Sequence, residues 1–412
     1  MAFQDGFRFS LLSFFLGHSF PRQRFFCFFG AVCALATAAP VVVAEPLPTT
    51  ATLAGRYELS FEGGIRLRAG TFGTSRIASN GPMAVSDDGG SLWVAGHTQH
   101  YSIARYELPA PVYSRSIEDY PIASVADGFV KVDPPEVQGK APNRVTGIEQ
   151  INGALVVNVA EYYDGDGDNR QTTVVFDDAW NLGSTQRGYY RLAGSVHAGG
   201  WMSPIPESLQ STLGASYLAG YASNLSINSR LSIGPSLFLW NPSALLDGSS
   251  SGFDVPTSAW IDYSLARPLS EDLGNSAGDN DLWTHLSFAA HGFFTPTRND
   301  YLVVGRSGGH ESGVGYKITQ ENGYRCGGYC ANDYRDMSSY FWLYSNDDLR
   351  MKQGGLAPLH EARPVAYGPW PTFTLGKEIS GADYDAVTQR LYLLIDKADS
   401  LQNRFESQPV LL

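Results

Sequence analysis

The chain has 412 residues, with 29 Lys and Arg against 41 Asp and Glu and a net charge of −12. So few basic side chains cannot grip a phosphate backbone, which excludes nucleic acid as an expected partner, and 43% hydrophobic with 13% aromatic residues excludes a disordered chain. The 44 Gly and 23 Pro, with 22 Tyr and 22 Phe, describe a turn-rich, strand-rich protein rather than a helical one.

Residues 25–44 read FFCFFGAVCALATAAPVVVA, an apolar run behind Arg22 and Arg24 that ends in small residues. This is the order of an export signal, so residues 1–44 are expected to be a signal peptide and 45–412 a single exported domain, periplasmic or secreted. The alternative is an uncleaved membrane anchor, since the run approaches spanning length. After cleavage no further long apolar segment remains, so no membrane contact is expected, and the domain is expected to be a monomer.

Two stretches align without gaps: Met83 to Val94, MAVSDDGGSLWV, and Ala382 to Leu393, ADYDAVTQRLYL. Each is an apolar strand, a polar turn and a Leu-aromatic-aliphatic strand, the pattern of adjacent antiparallel strands. Ile148 to Val157 is a shorter copy with an Asn152-Gly153 turn, and Pro296 to Val304 a fourth. A second element recurs as Leu237-Phe238-Leu239-Trp240 before Leu245, Phe341-Trp342-Leu343-Tyr344 before Leu349, and Val174-Val175-Phe176 before Leu182, with Ser102 to Pro109 as the equivalent in the first unit. These read as outer strands followed by a tight turn. Such repetition without helical periodicity points to an all-β chain: a β-propeller of about five blades with long insertions, or alternatively a tandem β-sandwich. Tyr57 to Phe61 and Pro409 to Leu412 are the expected closing strands. A short helix is expected from Pro206 to Leu213, stopping at Gly214.

The stretches Gly81 to Ser86, Ser91 to His97, Trp201 to Pro206 and Ser229 to Ser236 resemble motifs of a family of exported bacterial propeller-like proteins with no settled activity. The resemblance implies the fold and export, and no particular chemistry.

Several residues could carry chemistry. Asp164, Asp166 and Asp168 alternate with glycines, so three carboxylates could converge on one hard cation; the stretch reads either as a solvated Asp/Gly turn or as a site for a structural Ca²⁺. Val175 stands where an EF-hand places its Glu, which excludes that motif. Cys326 and Cys330, three residues apart in RCGGYC, are expected to form a local disulfide in an oxidising compartment. His97 and His100 bracket a loop after a core strand, and Arg306, His310, Glu311 and Tyr316 share a Gly-rich loop. Arg230 and His197 lie in a third unit, and Asp281, Asp300, Asp347 and Asp348 offer carboxylate pairs.

Two functional readings follow. In the first, the protein acts on carbohydrate, with polysaccharide lyase or glycoside hydrolase as the enzyme classes. In a lyase, Arg230 or Arg306 would clamp a uronate carboxylate while His97, His310 and Tyr316 serve as base and acid. In the second, a non-catalytic domain binds a polysaccharide or another exported macromolecule through rim aromatics such as Trp201. No Gly-x-Ser-x-Gly elbow occurs, which disfavours an α/β serine hydrolase.

Overall fold

The computed structural model describes residues 50–78, 81–134, 142–222, 233–247, 253–353, 358–403 and 405–412. The expected signal peptide and Arg230 lie outside the described residues. Residues Leu47–Leu412 form one compact unit.

The fold is all-β, built from five antiparallel meanders. The first runs Met83–Val85, Ser91–Ala95, Ser102–Glu107 and Ile122–Lys131. The second runs Arg144–Ile151, Ala154–Ala160, Thr173–Phe176 and Gln186–Leu192, with Asp254–Val255 added in parallel. Met202–Pro204, Tyr217–Ala219, Leu237–Trp240 and Ser258–Ile261 make the third, and Phe288–Phe294, Tyr301–Gly308, Met337–Tyr344 and Ala366–Pro369 the fourth. The fifth combines Ile379–Asp385, Arg390–Asp399 and Gln408–Leu411 with Ile65–Leu67 from near the start of the domain.

The aligned repeat is two equivalent hairpins. Met83 pairs with Val94 in the first meander, and Ala382, its counterpart in the alignment, pairs with Leu393 in the fifth. Asn152 and Gly153 form the expected tight turn with φ of 51° and 83°, a left-handed pair that Asn and Gly adopt at low cost. The helix forms at Glu207–Leu213, burying Leu209 and Leu213, and ends on Gly214 at φ 71°.

Two expectations need correction. The Leu-aromatic segments are not outer strands: Leu237–Trp240, Met337–Tyr344 and Thr173–Phe176 are third strands, each paired on both sides and buried along its apolar stretch. Tyr57–Ser60 is not a closing strand either. It pairs with Thr50–Leu53 in a separate ribbon, whereas Ile65–Leu67 pairs with Gln408–Leu411 and, in parallel, with Ile122–Lys131. The first and fifth meanders thereby become one eight-stranded sheet.

The five first strands touch in a closed circuit, each against the first strand of the next meander and the fifth against the first. Five main apolar cores lie between successive meanders. Trp93, Leu155 and Val157 pack between the first and second, Met202 and Phe238 against Val156 between the second and third, and Trp260 and Trp342 between the third and fourth. Phe341 and Leu393 join the fourth to the fifth, and Leu67, Leu92 and Leu411 the fifth to the first. Two buried indoles are satisfied across these layers: Trp93 Nε1 donates to Ala179 O at 2.8 Å and Trp201 Nε1 to the Tyr301 hydroxyl at 3.1 Å.

Candidate functional site

A meander of antiparallel strands brings the start of its first strand beside the end of its second. His97, in the connection after Ser91–Ala95, is therefore held near the first-strand starts. Its backbone N–H donates to Arg76 O and to Ser75 Oγ, both at 3.1 Å. His97 Nδ1 accepts the Gln99 N–H at 3.3 Å, and its ring lies 4.7 Å from that of His100, whose Nδ1 is 2.9 Å from Ser75 Oγ. His97 is half-buried and His100 exposed. Burial pushes the His97 pKa below its ordinary value, and Arg76 pushes it further the same way against the opposing pull of Glu406, which favours the neutral ring.

Around His97 the neighbouring meanders contribute charge. Arg144, at the start of the second meander, shares a small pocket with His97 and places its guanidinium over the Tyr162 ring at 4.4 Å. On the other side a cleft of about 450 Å³ is lined by His97, Asp396, Lys397, Phe405 and Glu406. Glu406 pairs with Arg76 at 2.9 Å and Asp396 with Lys397 at 3.1 Å. Asp396 and Glu378 also act on Arg306, which lies two residues before the end of the second strand of the fourth meander and over the Phe288 ring at 4.7 Å. Burial lowers the Arg306 pKa, and those two carboxylates oppose the fall without forming a direct ion pair with it. A band of charge thus runs from Arg144 through His97 and Asp396 to Arg306.

His310 and Tyr316 are not brought into this band. His310 Nε2 is 2.7 Å from the buried Ser307 Oγ, and its Nδ1–H donates to Asn280 O at 2.8 Å. Both ring nitrogens are committed, and the ring stacks on Tyr340. Tyr316 sits on the separate hairpin Val314–Tyr316 with Tyr329–Ala331, 51% exposed and 5.1 Å from the Tyr329 ring. His197 forms its own pair with Asp262, Nδ1 to Oδ1 at 2.6 Å. Trp201 is 3% exposed and cannot serve as a rim aromatic.

The four aspartates considered as carboxylate pairs are dispersed. Asp281 Oδ1 accepts from the Tyr367 hydroxyl, and Asp347 and Asp348 lie in the first turn of the helix Asn346–Gln353. Asp300 is a buried hub accepting from Tyr57, Arg56, Arg298 and the Asn346 N–H. Although burial raises its pKa, those bonds hold it below the usual carboxylate range.

In the acidic turn, Asp164 is buried and its carboxylate accepts the N–H groups of Asp168 and Asn169 at 2.8 and 3.2 Å. The acidic group whose oxygens lie within 4.8 Å of one another is Glu161, Asp164 and Asp168; Asp166 is exposed and outside it. Two of the expected trio, Asp164 and Asp168, thus lie together with Glu161. Cys326 and Cys330 sit at disulfide distance, S–S 2.09 Å. No helix of the described residues is long and apolar enough to cross a membrane.

Sequence reasoning missed Arg144, which starts its strand without a motif around it. It also passed over Glu149, His291 and Asp383, of which two carried a legible signal: His291 is the one ionisable residue in the apolar strand Phe288–Phe294, and Asp383 stands where the aligned repeat has Ala84. The chain matches no known protein family, and no curated protein matches it.

Proposed function

We propose that the chain is an exported five-bladed β-propeller acting on acidic carbohydrate at the end where its first strands begin. The circuit of first strands, with one core between each successive pair of meanders, supports the blade reading. A paired Cys326 and Cys330 fit an oxidising compartment.

The observation that carries the chemistry is the neutral His97 ringed by the cations Arg76, Arg144 and the imidazole of His100 in an acidic protein. Such a group suits β-elimination. Arg144 neutralises a uronate carboxylate, His97 removes the proton α to it, the bond to the glycosidic oxygen breaks as the ring double bond forms, and His100 returns a proton to the leaving oxygen. Arg306 extends the anion-binding band. The test is incubation with acidic and neutral polysaccharides, following absorbance of unsaturated uronates and, in parallel, reducing ends. His97→Ala is expected to lower kcat by about 10²–10⁴-fold; unaltered turnover in that variant overturns the assignment.

A second reading, a non-catalytic glycan- or protein-binding propeller, is favoured by the commitment of both His310 nitrogens and by the exposed tyrosines Tyr316, Tyr324 and Tyr334. Under it, retained polymer binding fails on Tyr316→Ala and Tyr324→Ala and survives His97→Ala.

In either case a Ca²⁺ ion held by Glu161, Asp164 and Asp168 staples the turn between the second and third strands of the second meander. Chelation is expected to lower Tm, and excess Ca²⁺ to restore it, with Glu161→Gln abolishing the difference.

A further inference from the structure

A second ionisable cluster lies on the first strands themselves, distinct from the band around His97. Asp383 is 9% exposed, and its Oδ2 accepts the Val85 N–H of the first meander at 2.6 Å while Oδ1 accepts the Tyr384 N–H at 2.8 Å. Glu149 of the second meander, Asp87 of the first and the Tyr217 hydroxyl of the third are its electrostatic neighbours. Burial raises the Asp383 pKa to about 7 and that of Glu149 well above its ordinary value, and nearby carboxylates add to both.

The fourth meander supplies the independent observation. His291 is 4% exposed, and neither ring nitrogen makes a hydrogen bond; its Nε2 points at Asp383 Oδ1 across 3.9 Å. A buried imidazole that makes no hydrogen bond thus faces the Asp383 carboxylate. Two donor atoms that each bind one ion at about 2.0–2.2 Å stand no more than about 4.4 Å apart, and the separation of His291 Nε2 and Asp383 Oδ1 lies inside that limit. The Glu149 carboxyl, half-buried and held by no hydrogen bond, stands farther off than ligand atoms of one ion, so it has to move to join the other two.

We propose that His291, Asp383 and Glu149 bind a divalent transition ion at the centre of the circuit of first strands, with His291 Nε2 and Asp383 Oδ1 as the ligands already in place. A mixed nitrogen and oxygen donor set favours Zn²⁺ or Mn²⁺ over Ca²⁺, so this site and the acidic turn differ in the ion they select.

The experiment is titration of the chelator-stripped full chain with ZnCl₂ and with MnCl₂ by calorimetry, with Tm read at saturation. One site is expected beyond the acidic turn, weakened at least tenfold by His291→Gln and by Glu149→Gln and unaltered by Glu161→Gln. Glu149→Gln keeps the test open if the buried His291 variant does not fold, because the Glu149 side chain accepts no hydrogen bond. Absence of binding of both ions at millimolar concentration overturns the proposal, as does equal affinity in the wild type and Glu149→Gln, or loss of the site only in Glu161→Gln.

Discussion

At the scale of single residues, the chain separates ionisable groups that hold structure from those left available for chemistry. Asp300 belongs to the first kind: one buried carboxylate ties the ribbon residues Arg56 and Tyr57 to Arg298 and the Asn346 N–H. Its lowered pKa gives stability that is present above the unfolded value and lost as pH falls through the folded value. Asp300→Ala is expected to cost about 3 kcal/mol at pH 7, because it strands the buried donors, and the cost should shrink below about pH 4, as read by urea unfolding at several pH values. His97 belongs to the second kind. If His97 is the base of the proposed elimination, its lowered pKa moves the acidic limb of the kcat profile below the ordinary histidine value. A limb at or above about pH 6.5 would assign the titration to another group.

Individual strands and turns depend on where backbones approach one another. A Cβ on Gly147 would stand 1.9 Å from Gly200 O, and one on Gly381 would stand 2.4 Å from Gly81 O, so these glycines let first strands of adjacent meanders come into contact. Gly147→Ala and Gly381→Ala are each expected to cost at least about 2 kcal/mol, against less than about 0.5 kcal/mol for Gly327→Ala, whose added Cβ meets nothing within 4 Å. Denaturant midpoints measured side by side check the contrast. The turn at Asn152-Gly153 and the helix from Glu207 to its Gly214 cap were legible because their signals are local. Ile65–Leu67 was not: three residues beside two glycines carry no periodicity, whereas the neighbouring Tyr57–Ser60 alternates half-buried and exposed like a strand seeking a partner.

For the whole molecule, closure rests on that short strand. Leu67 and Leu411, both fully buried, line one core where the end of the domain meets its beginning. Leu67→Ala and Leu411→Ala are each expected to cost about 2–5 kcal/mol, and the double variant less than their sum, because the two changes open one shared cavity. Additive losses in a double-mutant cycle would place the two side chains in separate environments.

Strand patterning, turn chemistry and the spacing of Cys326 and Cys330 are properties of neighbouring residues, so the sequence alone carried the all-β class, the repeated hairpins and the cysteine pair. The candidate sites depend on contacts between segments far apart in the chain. Arg144 reaches His97 from the next meander, His291 faces Asp383 across the fourth and fifth, and Glu161 joins Asp164 and Asp168 in the acidic turn. Only the packing of first strands against one another determines which carboxylates lose their water and which imidazole is left without a partner, because desolvation and proximity come from the tertiary structure rather than from residue order.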